Sequence, residues 1–511
     1  MRNLLARHGI SRRPADRAGD TRLRVGTPLR ALLNRVFPDH WSFLLGEIAL
    51  FSFLVLLITG AFLAIFYDSS AREVTYDGAY GPLRGARMSA AFASTLDISV
   101  EVRGGLVVRQ IHHWAALLFL AALMLHLLRV FFTGAFRRPR RFAWVAGALM
   151  FWVGVAQAYA GTMLPDDGRS FTGLGIAWSI VLSVPIIGTW LAAGLFGGDF
   201  PGDAVHRLSV VHTLLLPALL LLLLAVLVGL TLRNGRAQWP GPRRTNATVV
   251  GERLFPRYAM KRVGLFFVVT GMVALFGGLL QINPVWVYGP ARAEVVTAAA
   301  QPEWFVLFLE GGLRLMPAWD IHIPVGDGYV IPSLFWPGIV LPAVLLGMSV
   351  AYPFLRLRDH RHHHLLQRPR DVPARTALGA MAVTFWSVLT LAGAGDVIAV
   401  TFHISLNAMI WAGRILVLIL PALAYSITYR LCLGLQQHDR EVLVHGIETG
   451  IIRRGADGGY VEVHQPLPGD GRYAGAPVPK KLNQVLPCTT TERKEERCAL
   501  PWPERPAESV H

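Results

Sequence analysis

From Ser209 to Leu232 the chain reads SVVHTLLLPALLLLLLAVLVGLTL, a run without one charged side chain. Roughly 20 apolar residues are what a helix needs to cross the hydrocarbon core of a bilayer. Lipid offers no partner for backbone N–H and C=O groups, so such a run crosses as a helix or not at all unless it closes a barrel. Comparable runs begin near Phe43, Leu106, Phe142, Val263, Ile331, Ala377 and Ala408. Composition agrees: 16% of residues are charged, against about 25% in soluble domains. The expected fold is all-α, a polytopic transmembrane bundle of about eight spans. A further apolar stretch, Ile176–Phe196, is broken by Pro185 and glycines and reads as interfacial or re-entrant.

The net charge is +16. Its placement argues for topology and against nucleic-acid binding. With eight spans both termini share one side, and that side collects the Lys and Arg. Residues 1–42 hold nine, 129–141 five, 233–262 eight and 356–375 six. An opposite loop, 68–103, sets four Arg against five acidic residues. This is the positive-inside pattern, which places both termini in the cytoplasm. The N-terminus has no short apolar core followed by a small-residue cleavage site, so no removable signal peptide is expected and the first span directs insertion. The three cysteines, Cys432, Cys488 and Cys498, form neither a CxxC pair nor a C-x-x-C-H haem-attachment motif.

The chain divides into a basic arm (1–42), four spans (43–232), a cytoplasmic loop (233–262), four more spans (263–430) and a Gly-, Pro- and charge-rich tail (431–511) read as flexible. The loop Tyr288–Tyr329 is long and contains Pro302-Glu303-Trp304 followed by an amphipathic run, Phe305–Met316. Long connections of that kind are often functional.

Ligating side chains inside a span are rare and usually functional. The second span carries His112, His113 and His126, and the fourth carries His212. Residues fourteen apart on a helix differ by roughly 40° in direction and by about 21 Å in depth. His112 and His126 therefore share a face, whereas His113 and His126 nearly oppose one another. Two haems stacked across a membrane within a helical bundle need that spacing, with neutral imidazoles supplied from facing helices. Gly46 and Gly60 in the first span, and Gly147 and Gly161 in the third, repeat the spacing of fourteen. A flat macrocycle between helices needs backbones without Cβ atoms at matching depths.

Residues 104–129 (GGLVVRQIHHWAALLFLAALMLHLLR) resemble the second helix of cytochrome b, Leu208–Pro217 (LSVVHTLLLP) its fourth, and Ala160–Pro165 (AGTMLP) the end of its third. Pro302–Phe305 (PEWF) resembles the Pro-Glu-Trp-Tyr quinol-oxidation motif, with Phe305 replacing the tyrosine. FPDHWSFLLGE, LPDD, PGPRRTN and EGGLRLMPAWD point to the actinobacterial-type branch, whose members oxidise menaquinol. The likeness runs from about residue 36 to 430.

The resemblance implies the haem- and quinol-binding subunit of a bc1-type respiratory complex in a bacterial plasma membrane. Such a subunit oxidises (mena)quinol and passes electrons through b-type haem and a Rieske iron–sulfur partner towards cytochrome c, coupled to proton translocation. It implies a c-type cytochrome subunit, a homodimer within the complex and association with a terminal oxidase. His112 and His212 match the axial pair of the outer haem, and Arg109 an arginine on its propionate. His126 matches one axial ligand of the inner haem, with Arg129 near that haem's propionates. Glu303 matches the glutamate that takes a proton from quinol.

One position departs from the family. The second span-four ligand falls fifteen residues after His212, where Leu227 stands, and no residue from Leu219 to Thr231 is a His, Met, Cys, Lys or Tyr. Arg233 and Arg236 occupy the stretch where histidines near a cytoplasmic quinone site are expected. The family's two haems b thus reduce to one with both ligands visible. The rival reading is a divergent paralogue with one haem and an assembly or regulatory role. His113 reads as a packing or hydrogen-bonding residue, His206 as a surface residue, and Asp166 and Asp167 as solvated loop acids. Lys261 opens the fifth span, its ammonium reaching towards the interface.

Overall fold

The computed structural model describes residues 33–241, 243–295, 301–324, 329–355 and 361–465. Among them eight helices are long and apolar enough to span a membrane: span one, Trp41–Phe66; two, Gly105–Phe132; three, Arg141–Met163; four, Ala204–Asn234; five, Leu254–Leu279; six, Trp336–Phe354; seven, Pro373–Gly393; and eight, Leu406–His445. Their outward faces carry large exposed apolar side chains such as Ile58, Ile65, Leu222, Phe267 and Leu418, as lipid-facing helices require.

Span one packs on span two, two on three, and three on four, while span five lies against spans one and two. Spans six and seven flank the first bundle, span seven pairs with span eight, and the short helix Leu307–Leu315 wedges against span seven. At the centre Phe53, Phe119, Leu120, Leu123 and Leu220 form a buried apolar waist from spans one, two and four, joined by Met150 and Phe151 of span three. Lipid tails are as apolar as these side chains, so close packing rather than exclusion from water holds the waist. Gly154 permits it: a Cβ there would lie 3.1 Å from both Leu120 Cδ2 and Phe119 Cε1.

The stretch Ile176–Phe196 is not a span. It lies across two short helices, Gly168–Leu182 and Gly188–Phe196, separated at Pro185. Phe305–Met316 contains the helix Leu307–Leu315. The boundary expected at 431 falls inside a helix: span eight continues to His445, and an antiparallel hairpin, Ile447–Arg454 with Tyr460–Gln465, follows. Cys432 is buried within that helix. The tail beyond 465, with Cys488 and Cys498, and most of the basic arm lie outside the described residues.

Short pairings seal the ends. Val36–Phe37 pairs antiparallel with Glu252–Arg253 on one side, and Glu73–Thr75 with Arg87–Ser89 on the other. Ser89 caps the helix Ala90–Val100 by accepting from Phe92 N. That helix buries Phe92 and Leu96 completely.

Candidate functional site

Span four changes pitch where it carries His212. Pro217 has no N–H to donate into the preceding turn, and Val211–Leu215 winds as a wide π turn in which Leu216 N donates to Val211 O. The His212 carbonyl leaves the helical ladder and accepts instead from Gln157 Nε2 of span three, at 2.8 Å. The Gln157 backbone carbonyl in turn accepts from His212 Nδ1, at 2.9 Å. A carbonyl only accepts, so the hydrogen sits on Nδ1 and Nε2 keeps its lone pair free.

His112 is held the same way from span one. Thr59 Oγ1 donates to Val55 O at 2.7 Å, so its oxygen accepts from His112 Nδ1 at 2.9 Å. Nε2 is again the free donor atom. Anchoring of Nδ1 is the usual device for fixing a ligand imidazole. The two rings are inclined at 70° with centroids 6.3 Å apart. Two metal–imidazole bonds of about 2 Å, with half a ring added on each side, span roughly the same distance. Both rings line a cavity of about 360 Å³ between spans one to four. Gly60 and Gly161 make the room: a Cβ on Gly60 would lie 3.2 Å from His112 Cε1, and one on Gly161 would collide with His212. Arg109 lines the same cavity with its Nε and Nη2 buried and unpaired. An unpaired buried guanidinium is costly, and the carboxylates of a haem would satisfy it.

On the other side of the waist, His126, Gly46, Gly147 and Arg129 line a cavity of about 310 Å³. Phe53 and Phe119 belong to both cavity walls. Arg129 stacks on Phe43 at 4.4 Å and leaves Nε and Nη2 buried and unpaired. Gly46 backs His126, with an added Cβ 2.8 Å from its Cε1. His126 Nδ1 has no partner, in contrast to the two outer imidazoles. Leu227 stands in the cavity wall. The outer donors, glycines and arginine fit haem with two axial imidazoles, and the inner set fits haem with one.

The loop residue Glu303 lies beside the outer cavity. Its Oε1 accepts from Asn283 Nδ2 at 2.6 Å, Arg169 Nη2 at 2.9 Å and His113 Nε2 at 3.0 Å. Burial pushes the carboxyl up, but His113 and Arg169 outweigh it and hold the group down at about 2. Arg169 Nε also donates to Gln301 O at 3.0 Å, tying the loop to the helix Gly168–Leu182. Phe305 is 1% exposed and shares the cavity wall with Pro165, Asp167, Arg169 and Asn283. Asp167 is buried and Asp166 half-buried rather than both being solvated. Asp167 caps the helix Gly168–Leu182 in a reciprocal box with Ser170. Asp166 accepts from Ser89 at 2.5 Å. Burial raises both carboxyls.

A second polar cluster sits at the end of the bundle beyond the His126 cavity. Glu47 of span one, 6% exposed, pairs with Arg262 at 2.6 Å and Arg236 at 3.0 Å and accepts from Tyr258 at 2.6 Å. Lys261 bridges Asp39 and Glu252, each at 2.8 Å. His206 bonds Ser69 at the surface.

The structure thus gathers His112, His212, Gly60, Gly161 and Arg109 at one cavity and His126, Gly46, Gly147 and Arg129 at the other, with Glu303 beside the first. Sequence reading missed Thr59, Gln157, Arg169 and Asn283. Thr59 and Gln157 carried a signal, being polar residues inside apolar spans near the glycines. Arg169 and Asn283 sit in connections, where no periodicity marks them.

The family described as Cytochrome b(N-terminal)/b6/petB matches residues 117–290. The cytochrome bc1 complex cytochrome b subunit of Mycobacterium leprae is 52% identical over 479 residues, covering 91% of this chain and 86% of that protein. The subunit of the same description from Corynebacterium diphtheriae is 49% identical over 478 residues (91% and 88%). That of Streptomyces coelicolor is 45% identical over 452 residues (88% and 82%). Among solved structures, a chain of a hyperthermophilic respiratory Complex III shares the fold with a TM-score of 0.57 and 20% identity, over 79% of this chain and 98% of that one. Fold, paired histidines across the first four spans and near-full-length likeness converge on one statement: the chain is a multi-pass membrane protein of the cytochrome b family.

Proposed function

We propose that the chain is the cytochrome b subunit of a bc1-type complex that oxidises quinol, menaquinol by its branch, and passes electrons through b-type haem and a Rieske partner towards cytochrome c. The observation that carries this is the pairing of His112 and His212, each locked through Nδ1, beside a cavity that continues to the Glu303 loop. The rival reading, a divergent paralogue with one haem and an assembly or regulatory role, rests on Leu227 and on Arg233 and Arg236 where quinone-site histidines are expected, and leaves the Glu303 network without a task.

His112 and His212 hold the outer haem and Arg109 its propionate; His126 and Arg129 serve the inner one. Haem bound there supplies reversible one-electron transfer. The protein's own residues do the rest. Leu164, Pro165 and Phe305 give the quinol ring an apolar slot, and the waist below excludes water. Glu303 takes a proton from the quinol hydroxyl. Held by three donors it is a poor base, so accepting that proton requires loosening the contacts to Arg169 and His113, which links proton uptake to quinol arrival. The basic loops set both termini in the cytoplasm and the Glu303 side facing outward. A Rieske subunit, a c-type cytochrome subunit, a second copy of this chain and a terminal oxidase complete the assembly.

The test is the complex purified from membranes. Dithionite reduction should give b-type absorbance, and menaquinol analogues should drive cytochrome c reduction. A preparation without b-type absorbance refutes the proposal. So does full turnover in Glu303→Gln, because a positioned base contributes about 10²-fold or more.

A further inference from the structure

The four glycines keep an account of the imidazoles. Gly60 backs His112, Gly161 backs His212 and Gly46 backs His126. Gly147 has no ring against it; a Cβ there would meet only Leu127 Cδ2, at 3.2 Å. By its spacing from His212, the span-four residue at the place of the missing ring is Leu227, which lines the same cavity as Gly147. The fifteen residues from His212 to Leu227 include the wide turn Val211–Leu215, which absorbs about one residue relative to an α-helix. Fifteen on span four therefore matches fourteen on span two, and Leu227 reaches the depth of His126.

Around the inner cavity, the charged and sulfur-bearing lining side chains are engaged elsewhere or cannot ligate. Glu47 is committed to Arg236, Arg262 and Tyr258. Arg236 and Arg140 are cations. Met150, a thioether, sits one turn from Gly147 and is packed into the apolar waist. On the span-four side the wall is Leu224, Leu227, Val228, Thr231 and Leu232, and its one polar side chain, the Thr231 hydroxyl, lies a full turn beyond Leu227, about 6 Å further along the helix. Yet the cavity is open and Arg129 presents two buried unpaired N–H groups beside it. A wall that had merely lost its ligand would gain by closing, since cavities and orphaned cations both destabilise.

Resting on the function proposed above, we infer that the inner site holds haem on His126 alone. Its iron is five-coordinate, its second face lies against Leu227, and in the reduced state it takes a small diatomic ligand. One imidazole suffices to hold haem in a buried apolar pocket. An aliphatic wall supplies no sixth donor but leaves room for a probe such as carbon monoxide. The outer haem, closed by His112 and His212, does not bind it.

The experiment uses the purified complex freed of terminal oxidase. Pyridine haemochrome should count two haems b per chain. Carbon monoxide added after dithionite should shift the b-type spectrum of one of the two, and the oxidised complex should show a high-spin signal beside a low-spin one. Leu227→His should supply the absent ring, abolish the carbon monoxide shift and convert the high-spin signal to low-spin. Met150→Leu should change neither. One haem per chain overturns the inference, as do two haems with no carbon monoxide shift. Carbon monoxide binding that appears only in Met150→Leu overturns it too, by naming Met150 the sixth ligand. The low-spin signal of the outer pair separates the two readings: its loss sinks the proposed function, whereas its survival with a single haem sinks only this inference.

Discussion

Thr59→Val tests whether the outer imidazole is held as the geometry implies. Valine has nearly the shape of threonine, so the substitution keeps the packing against span two and removes one oxygen. Thr59 is 8% exposed, and its hydroxyl bonds three groups: Val55 O, more weakly Leu56 O at 3.3 Å, and His112 Nδ1. The Val55 carbonyl it donates to sits in helix and loses only a supplementary bond. The His112 Nδ1–H loses its acceptor at 2.9 Å. A buried donor left unsatisfied costs about 1–3 kcal/mol. At 1.4 kcal/mol per factor of ten, outer-haem retention should weaken by roughly 5- to 150-fold, in line with the 10–100-fold typical of outer-shell partners. The assay is haem loss to an apo-acceptor protein, followed as decay of the low-spin signal, beside redox titration of the outer haem. Without its acceptor the imidazole is a weaker donor to iron, so the midpoint should rise. Thr59→Ser keeps the oxygen and should behave as the parent. If Thr59→Val and Thr59→Ser lose haem equally fast, the hydroxyl is not the anchor and the tautomer assigned to His112 is wrong.

Gly161→Ala should abolish the outer low-spin signal, because the new methyl collides with His212; Gly229→Ala, where a Cβ meets nothing within 4 Å, should leave the spectrum unchanged. Arg169→Leu removes a cation that lowers the Glu303 carboxyl, so the acid limb of the pH–rate profile should move to higher pH; an unmoved limb refutes Arg169 as its partner. The folded-state value of Glu303 lies below its ordinary 4.5, at about 2. Its contribution to stability is therefore fully present above about pH 4.5 and fades as pH falls towards 2, and Glu303→Gln should flatten thermal stability against pH in that window. Asp167→Ala removes the cap of the helix Gly168–Leu182 and should cost about 1 kcal/mol, seen as a lower melting temperature with the haem spectrum intact.

The eight spans were legible because a bilayer imposes a length that few other structures demand, and the candidate ligands because a histidine inside a span is conspicuous. His112, His126 and the four glycines follow from arithmetic on a straight helix. What escaped reading has a physical reason in each case. Span eight runs on to His445 because a helix does not stop where hydrophobicity does; its last turns leave the apolar slab as an ordinary amphiphilic helix. Asp167 looked solvated because capping is a property of the turn that follows it, and the helix after LPDD is too broken by glycine to announce itself. Glu303 stood out by motif, but its three donors come from span two, from the residue after Asp167–Gly168 and from the loop after span five, so no local pattern assembles them. The fifteen-residue interval on span four is the instructive one. On a regular helix it would set Leu227 roughly 60° from His212, and the position would be a poor partner for a face read at fourteen. Pro217 cannot close its turn, the turn widens, the freed His212 carbonyl is caught by Gln157, and the same defect both fixes the outer ligand and brings residue 227 round to the inner one. A side chain at that position lines the second cavity whatever its chemistry, so on the inference drawn above leucine there would change coordination without disturbing the fold.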